Sequence, residues 1–365
     1  NSTLDEETFV QRLIAIRQGR YQLIYIAPER LNSQLIRNLF SAVKVSFIAV
    51  DEAHCISKWG HDFRPAYGEI IDFLHQLPYR PPVGAYTATA TTDVIEEIKN
   101  LLQLQDPVES IISFDRKNLI FEVLKISNKR DYILNFIRRF YPKDSGVIYC
   151  ATRKNVELLT QFLQDAGINA LGYHGGMSSE EREKHQNAFI YDEVEIIVAT
   201  NAFGMGIDKS NVRFVIHYAM PMNIESYYQE AGRAGRDGEP SDCVLLFSPQ
   251  DVQLQKFLIE QSDVDERAKQ HEYEKLQAMI NYCHTNQCLT AYIIHYFSET
   301  ITNYRCDRCS NCQNKGEKTD ITEEAQMILS CVKRMDEKFG VTMTAKVLKG
   351  SKDKKLISFR LNDLS

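Results

Sequence analysis

The sequence is poor in several things, and each shortage excludes a class. No run of about 18 consecutive apolar residues occurs among the 365, so no membrane-spanning helix and no membrane partner are expected. There is no internal repeat and no low-complexity segment, which excludes a solenoid and a compositionally biased tail. The first residues carry neither a signal-peptide core nor an Arg-rich targeting pattern, so the nine cysteines do not suggest a secreted disulfide scaffold. Positive charge is not in excess. The net charge of −6 argues, taken alone, against a nucleic-acid partner. Tryptophan occurs once, at position 59. What remains is ordinary: 44% hydrophobic and 25% charged residues exclude a mostly disordered chain, a coiled coil and a fibre, and the length suggests two or three domains. Residue 1 is Asn rather than Met, so the chain is expected to begin partway into a longer protein.

Short apolar runs alternate with helix-like stretches up to about residue 250. Tyr21–Ala27, Val45–Val50, Val83–Tyr86, Gly146–Cys150, Val194–Ala199, Val212–His217 and Cys243–Phe247 read as strands. Continuous β-branched and aromatic runs between helices predict parallel sheets covered on both faces. Asn155–Ala166 has helical periodicity with Gly167 as C-cap, and Ser178 with Glu181 forms a capping box. Two α/β sheets are expected, joined near Phe114–Leu119. A helical region follows, with helices at Val264–Cys283 and Leu289–Phe297, a polar linker at Gln313–Asp320, and further helix over Ile321–Phe339 and Val341–Val347.

Asp51-Glu52-Ala53-His54 follows directly on an apolar strand, where α/β proteins bind ligands. An Asp there suits Mg²⁺, and the adjacent Glu can deprotonate an attacking water. The next segment, Cys55–Tyr67, gathers Trp59, His61, Phe63, Arg64 and Tyr67 among loop-forming Gly60, Asp62 and Pro65. Aromatic faces stack on unpaired bases, so this loop suggests a sensor of single-stranded nucleic acid. Thr87–Thr91 offers hydroxyls to the acidic pair or to a phosphate. Tyr149–Arg153 ends a strand, and Tyr173–Met177 is a Gly-rich turn that a phosphate chain could approach. In Ala199–Lys209, Gly204 and Gly206 permit close approach, and Asp208 can accept a hydrogen bond. Arg233 and Arg236, in Gln229–Gly238, would share a face if helical and could neutralise charge on a γ-phosphate.

Five cysteines cluster. Cys288, Cys306, Cys309 and Cys312 carry two C-x-x-C steps that suit tetrahedral Zn²⁺, with an iron–sulfur cluster as the alternative. Cys283 is expected to be buried by its helix. His284 and His295 could compete as ligands.

In this order the motifs resemble those of the RecQ family of superfamily 2 helicases. Asp51–Tyr67 resembles its motif II and aromatic-rich loop, and Thr87–Thr91, Val147–Arg153, Ala199–Lys209 and Gln229–Gly238 its motifs III to VI. The resemblance implies a fold of tandem RecA-like parallel sheets, the first incomplete, then a helical zinc-binding subdomain and the start of a winged helix. The expected boundaries are 1–113, 114–248, 249–317 and 318–365. It implies ATP-dependent, 3′-to-5′ unwinding of DNA in recombination and repair, with ATP, Mg²⁺ and Zn²⁺ as cofactors. Asp51 would bind Mg²⁺, Glu52 would be the base, and His54 would couple the ATP site to the loop. Trp59, His61, Phe63 and Arg64 would contact DNA. Asp208 and Gln229 would line the cleft, and Arg233 and Arg236 would face the γ-phosphate, with Arg236 the finger. Single-stranded and duplex DNA are the implied partners, with a single-strand-binding protein a further candidate. The implied location is cytoplasmic, and nucleoid-associated in a bacterium.

The sequence departs from the family in one respect that matters for turnover: no G-x-x-x-x-G-K-[ST] occurs in it. Weak ATP hydrolysis and an unstable first domain with an open sheet edge are therefore expected. Nor is a helicase-and-RNase-D-like C-terminal domain expected. The alternative is a shortened, non-catalytic module that binds DNA through its zinc and winged-helix parts; an RNA helicase is a third reading, opposed by the aromatic loop and the four cysteines. The acidic total does not exclude DNA, because basic residues concentrate towards the end, as in Lys349–Lys355.

Overall fold

The computed structural model describes residues 5–60, 62–204, 207–262, 264–299, 302–314, 320–351, 353–359 and 361. It divides into two compact units, Asn1–Gln313 and Asn314–Ser365.

The larger unit begins with a two-stranded parallel sheet. Strand β1 (Ile48–Val50) pairs with β2 (Val83–Ala85), Ile48 opposite Val83 and Val50 opposite Ala85. Amphipathic helices Gln34–Ala42, Gly68–Gln76 and Thr92–Leu101 bury Ile36, Phe40, Phe73, Leu74, Val94 and Ile98 around Val50. The strand expected at Tyr21–Ala27 is not formed. Those residues are extended, with Tyr21, Leu23 and Tyr25 exposed and Ile24 and Ile26 half-buried, and no strand among the described residues pairs with them. A β-branched run stays a strand only where a neighbour accepts its ladder hydrogen bonds. The same cause trims the Val45–Val50 reading to three residues.

The second sheet has six parallel strands, ordered β3-β8-β7-β4-β6-β5. They are β3 (Leu119–Leu124), β4 (Ser145–Tyr149), β5 (Ala170–Tyr173), β6 (Ile196–Ala199), β7 (Val212–His217) and β8 (Ser241–Leu246). Because all run one way, their C-terminal ends share one edge. β3 and β5 escape a sequence reading: Glu122 interrupts the first, and the second is only Ala-Leu-Gly-Tyr. Gly146 is required by packing, since a Cβ there would lie 2.1 Å from the Phe214 ring.

Helices Lys129–Phe140 and Arg153–Asp165 cover one face through Ile133, Phe136, Val156 and Leu159. The other face packs against Ser179–Ile190, whose Ser178–Glu181 capping box forms as expected, and against Ile224–Ala231. Leu276, Met279 and Tyr282 of helix Glu266–His284, with Leu289 and Ile293 of helix Leu289–Tyr296, extend that same core. The cysteine-rich region is thus built onto the second sheet. Between them lies helix Pro249–Gln261, not expected from the sequence because it buries only Gln255 and Ile259 and so lacks an apolar stripe.

The smaller unit packs Thr322–Arg334, Val341–Leu348 and Lys354–Ser358 around Cys331, Met335, Val347, Leu356 and Leu361. The linker expected at Gln313–Asp320 and its 317/318 boundary fall largely outside the described residues. Among the described residues no helix is long and apolar enough to cross a membrane.

Candidate active site and metal centre

β1 delivers Asp51 and Glu52 to the C-terminal edge of the first sheet. Tyr86 N–H donates to Val50 O and Ala53 N–H to Tyr86 O, both at 2.9 Å, which fixes the turn. Glu52 takes a left-handed backbone, φ 48°, and starts the 3₁₀ turn Ala53–Ile56. A non-glycine residue there carries strain of about 1–3 kcal/mol, held by its surroundings. The turn buries His54, whose Nδ1 lies 2.8 Å from Thr87 Oγ1 and 3.4 Å from Glu52 Oε2. Thr87 therefore engages the histidine rather than the carboxylates.

Asp51 is exposed and accepts the Glu52 N–H at 2.9 Å. Its free-facing carboxylate suits a hydrated cation. Burial raises the Glu52 carboxyl above the ordinary range, the Asp51 charge adds to this, and the Arg233 charge is the main one opposing it. Glu52 Oε2 is buried without a hydrogen bond among the described residues, and Gln229 Nε2 reaches Oε1 from the second domain at 3.4 Å.

Arg233 and Arg236 do not share a helical face. Helix Ile224–Ala231 stops at Gly232, and Gly235 turns the chain with φ +56°. Arg233 is buried and donates to Gly204 O at 2.5 Å; a Cβ on Gly204 would lie 2.6 Å from its Nη2. Arg236 donates to Asp208 at 2.8 Å and to Ile207 O at 2.9 Å. Asp208 thus pairs within its own domain.

In the aromatic loop Phe63 is exposed and Arg64 pairs with Asp62 at 2.6 Å. His61, like Gly206, lies outside the described residues. Trp59 is held by helix Glu266–His284: Lys275 Nζ donates to Trp59 O at 2.8 Å, His271 Nε2 lies 3.3 Å from the same oxygen, and Arg267 stands 4.9 Å over the indole ring. Lys275 is buried and lies 3.7 Å from Glu225 of the second domain. These three residues carry no motif. Their only sequence signal is a spacing of four along one helix, which places them on one face.

Cys288, Cys306, Cys309 and Cys312 bring four sulfurs within 4.8 Å of one another. Two separations are 3.9 Å (Cys306–Cys312) and 4.0 Å (Cys288–Cys309). Zn–S bonds of about 2.3 Å place tetrahedral sulfurs about 3.8 Å apart, so the set fits zinc. Backbone N–H groups of Leu289 and Cys306 point at Cys309 and Cys288 sulfurs at 3.4 Å, favouring thiolates. His284 and His295 instead bond carbonyls of their own helices, Ile280 and Ala291. Cys283 is buried, and burial pushes its thiol up to about 12. Arg308 ties the loop to Asp115 and to Leu119 O at the start of β3.

Four family models match successive parts of the chain: DEAD/DEAH box helicase over 2–98, Helicase conserved C-terminal domain over 128–238, RecQ zinc-binding over 249–313 and RQC domain over 315–365. The ATP-dependent DNA helicase RecQ of Bacillus subtilis is 46% identical over 100% of this chain and 61% of its own length. The chain belongs to the RecQ family. The RecQ of Pasteurella multocida is 39% identical over 98% of this chain and 55% of its own. The chain therefore spans roughly three-fifths of the length of these RecQ relatives. A solved structure of S. cerevisiae Dbp5 bound to RNA and ADP BeF3 is 18% identical, with a TM-score of 0.49 over 73% of this chain and 67% of that one. Within the RecQ frame the parallel sheets are the two RecA-like domains, and all four clustered cysteines fall inside the zinc-binding match.

His54 makes a testable pH sensor of the first RecA-like domain. Burial holds its pKa down to about 4, with the Arg64 charge lowering it and the Asp62 charge opposing. The unfolded imidazole binds its proton near 6.5. Stability from the neutral ring is thus present above pH about 6.5 and lost as pH falls towards 4. Trp59, five residues away, reports local opening. Denaturant melts followed by its fluorescence should show the domain weakening across this window, and His54→Gln should flatten that dependence.

Proposed function

We propose that this chain forms the larger part of the ATP-dependent, 3′-to-5′ DNA-unwinding engine of a RecQ helicase acting in recombination and repair. The observation that carries the reading is Gln229 of the second RecA-like domain reaching Glu52 of the first at 3.4 Å. It brings the acidic turn and the arginine segment together in one cleft. Asp51 would hold Mg²⁺ on the nucleotide. Glu52 would take a proton from the water attacking the γ-phosphorus as the bond to ADP breaks. Arg233 and Arg236 would face the γ-phosphate, Arg236 as the finger positioned by Asp208 and Arg233 beside it, its charge acting on Glu52. His54 would link the cleft to the loop carrying Trp59, His61, Phe63 and Arg64, which would contact single-stranded DNA. Cys288, Cys306, Cys309 and Cys312 would hold one Zn²⁺. The boundaries 1–113, 114–248, 249–317 and 318–365 follow this division of labour, the last segment meeting duplex DNA.

The 365 residues hold no phosphate-loop motif, so hydrolysis by this chain alone is expected to be far below that of an intact relative. Grafting the phosphate-loop segment of the Bacillus subtilis relative ahead of residue 1 should restore DNA-stimulated ATPase activity. A folded, DNA-binding chimera without such activity would refute the reading.

A further inference from the structure

The C-terminal edge of the second sheet carries two groups of loops. His174–Met177 and Cys150–Arg153 follow β5 and β4 on one half of the sheet. On the other half the loops after β3, β7 and β8, with the end of helix Glu266–His284, enclose a separate cavity of about 870 Å³. Its lining includes Lys125, Lys129, Arg130, Tyr218, Phe247 and His284, and no carboxylate.

The cations differ in what holds them. Lys129 is committed: its Nζ donates to Tyr218 O at 2.7 Å and pairs with Asp251 at 3.2 Å. That carboxylate is itself occupied, accepting the N–H groups of Met220 and Ser248 at 3.2 and 3.0 Å. Lys125 lies 5.9 Å from the Phe247 ring and Arg130 6.0 Å from the Phe162 ring. Among the described residues neither has a carboxylate partner. Two cations without anions facing one concave, acid-free surface raise its potential. The first turn of helix Lys129–Phe140 opens onto the same space; its one acidic residue, Asp131, accepts from the Asn128 cap rather than pairing with Lys125 or Arg130.

We propose that this cavity is a second DNA-backbone site, in which Lys125 and Arg130 each take a phosphate of the strand. The proposal rests on the DNA-binding reading above. Strands are about 4.8 Å apart, so two spacings separate β8, at the middle of the cavity, from β4, and four separate it from β5, about 10–19 Å. That is about three to six nucleotides of a stacked strand at about 3.4 Å each. A ligand already lying across the far half of the edge needs only that extension to reach Lys125.

The test is salt-dependent DNA binding by this chain and its double variant Lys125→Gln/Arg130→Gln. Each lost phosphate contact lowers the slope of log affinity against log salt by about 0.7 for single strands or about 0.9 for duplex. A slope smaller by about 1.4–1.8, and an affinity lower by about 25- to 60-fold at 0.1 M salt, supports the site and tells which form of DNA fills it. Zinc content and circular dichroism should be unchanged; should the double variant misfold, each single variant should show half the slope change. Normal DNA binding with an unchanged slope overturns the proposal and leaves the DNA reading standing. Failure of the unaltered chain to bind DNA overturns both. Loss of binding to a fluorescent nucleotide, with DNA binding retained, assigns the cavity to free nucleotide phosphate and also overturns it.

Discussion

Cys309→Ser is expected to strip the metal from this chain and to unfold the region from Cys288 to Gln313. Cys309 is fully buried, and its sulfur lies 4.0 Å from that of Cys288. A hydroxyl cannot replace a thiolate at that position, so the tetrahedron loses one of four corners. Structural zinc sites contribute about 10–16 kcal/mol of apparent binding energy, as much as the whole stability of an ordinary domain. The damage should also spread. Cys309 shares one core with Phe121 of β3 and with Tyr282 and Leu289, and Arg308 anchors the loop to Asp115. The melting temperature of the second RecA-like domain should therefore fall along with metal content. Elemental analysis should give about one zinc per chain before the substitution and a small fraction of that after it. Cys283→Ser is the control, since that thiol is buried in its helix outside the cluster and should leave the metal in place. Iron in place of zinc would replace the metal assignment with the iron–sulfur alternative.

Much of this was legible from sequence because it rests on local chemistry. Val212–His217 is a strand by pattern and by structure, since a fully buried central strand needs no polar residue to place it. The two C-x-x-C steps fix their own geometry, and the Asp51-Glu52 turn follows from a strand ending in two carboxylates. The failures are non-local. Tyr21–Ala27 has the composition of a strand, but pairing depends on a neighbour that its own letters do not specify. Arg233 and Arg236 are three apart, as on a helix, yet Gly232 and Gly235 end the helix first. The grip on Trp59 comes from Arg267, His271 and Lys275, more than two hundred residues later. Neither the loop nor that helix specifies the other in its own letters, and the contact exists only in the fold.

Glu52→Gln, placed in the chimera that carries a phosphate loop, is expected to lower ATP hydrolysis by about 10²–10⁴-fold, the range for loss of a positioned general base. The substitution keeps shape and hydrogen-bonding reach: an amide oxygen at the Oε1 position still accepts from Gln229, and the left-handed turn at residue 52 is unaltered. Nucleotide and DNA binding should therefore survive, which separates a base from a residue that only supports the fold. The pH profile sharpens the distinction. Burial and the Asp51 charge raise the Glu52 carboxyl, so its basic form is present only above that raised value. Hydrolysis should fall on the acid side as pH drops through it, and the residual activity of the Gln variant should lack this limb. Asp51→Asn should behave differently, demanding more Mg²⁺ for half-maximal rate, because the exposed carboxylate is the one placed to hold a cation. If Glu52→Gln retained the acid limb and most of its rate, the proton would have to leave by another group. Because Gln229 meets Glu52 only when the two RecA-like domains face each other, the same variant should keep its sensitivity to Gln229→Ala if that contact sets domain closure rather than proton transfer.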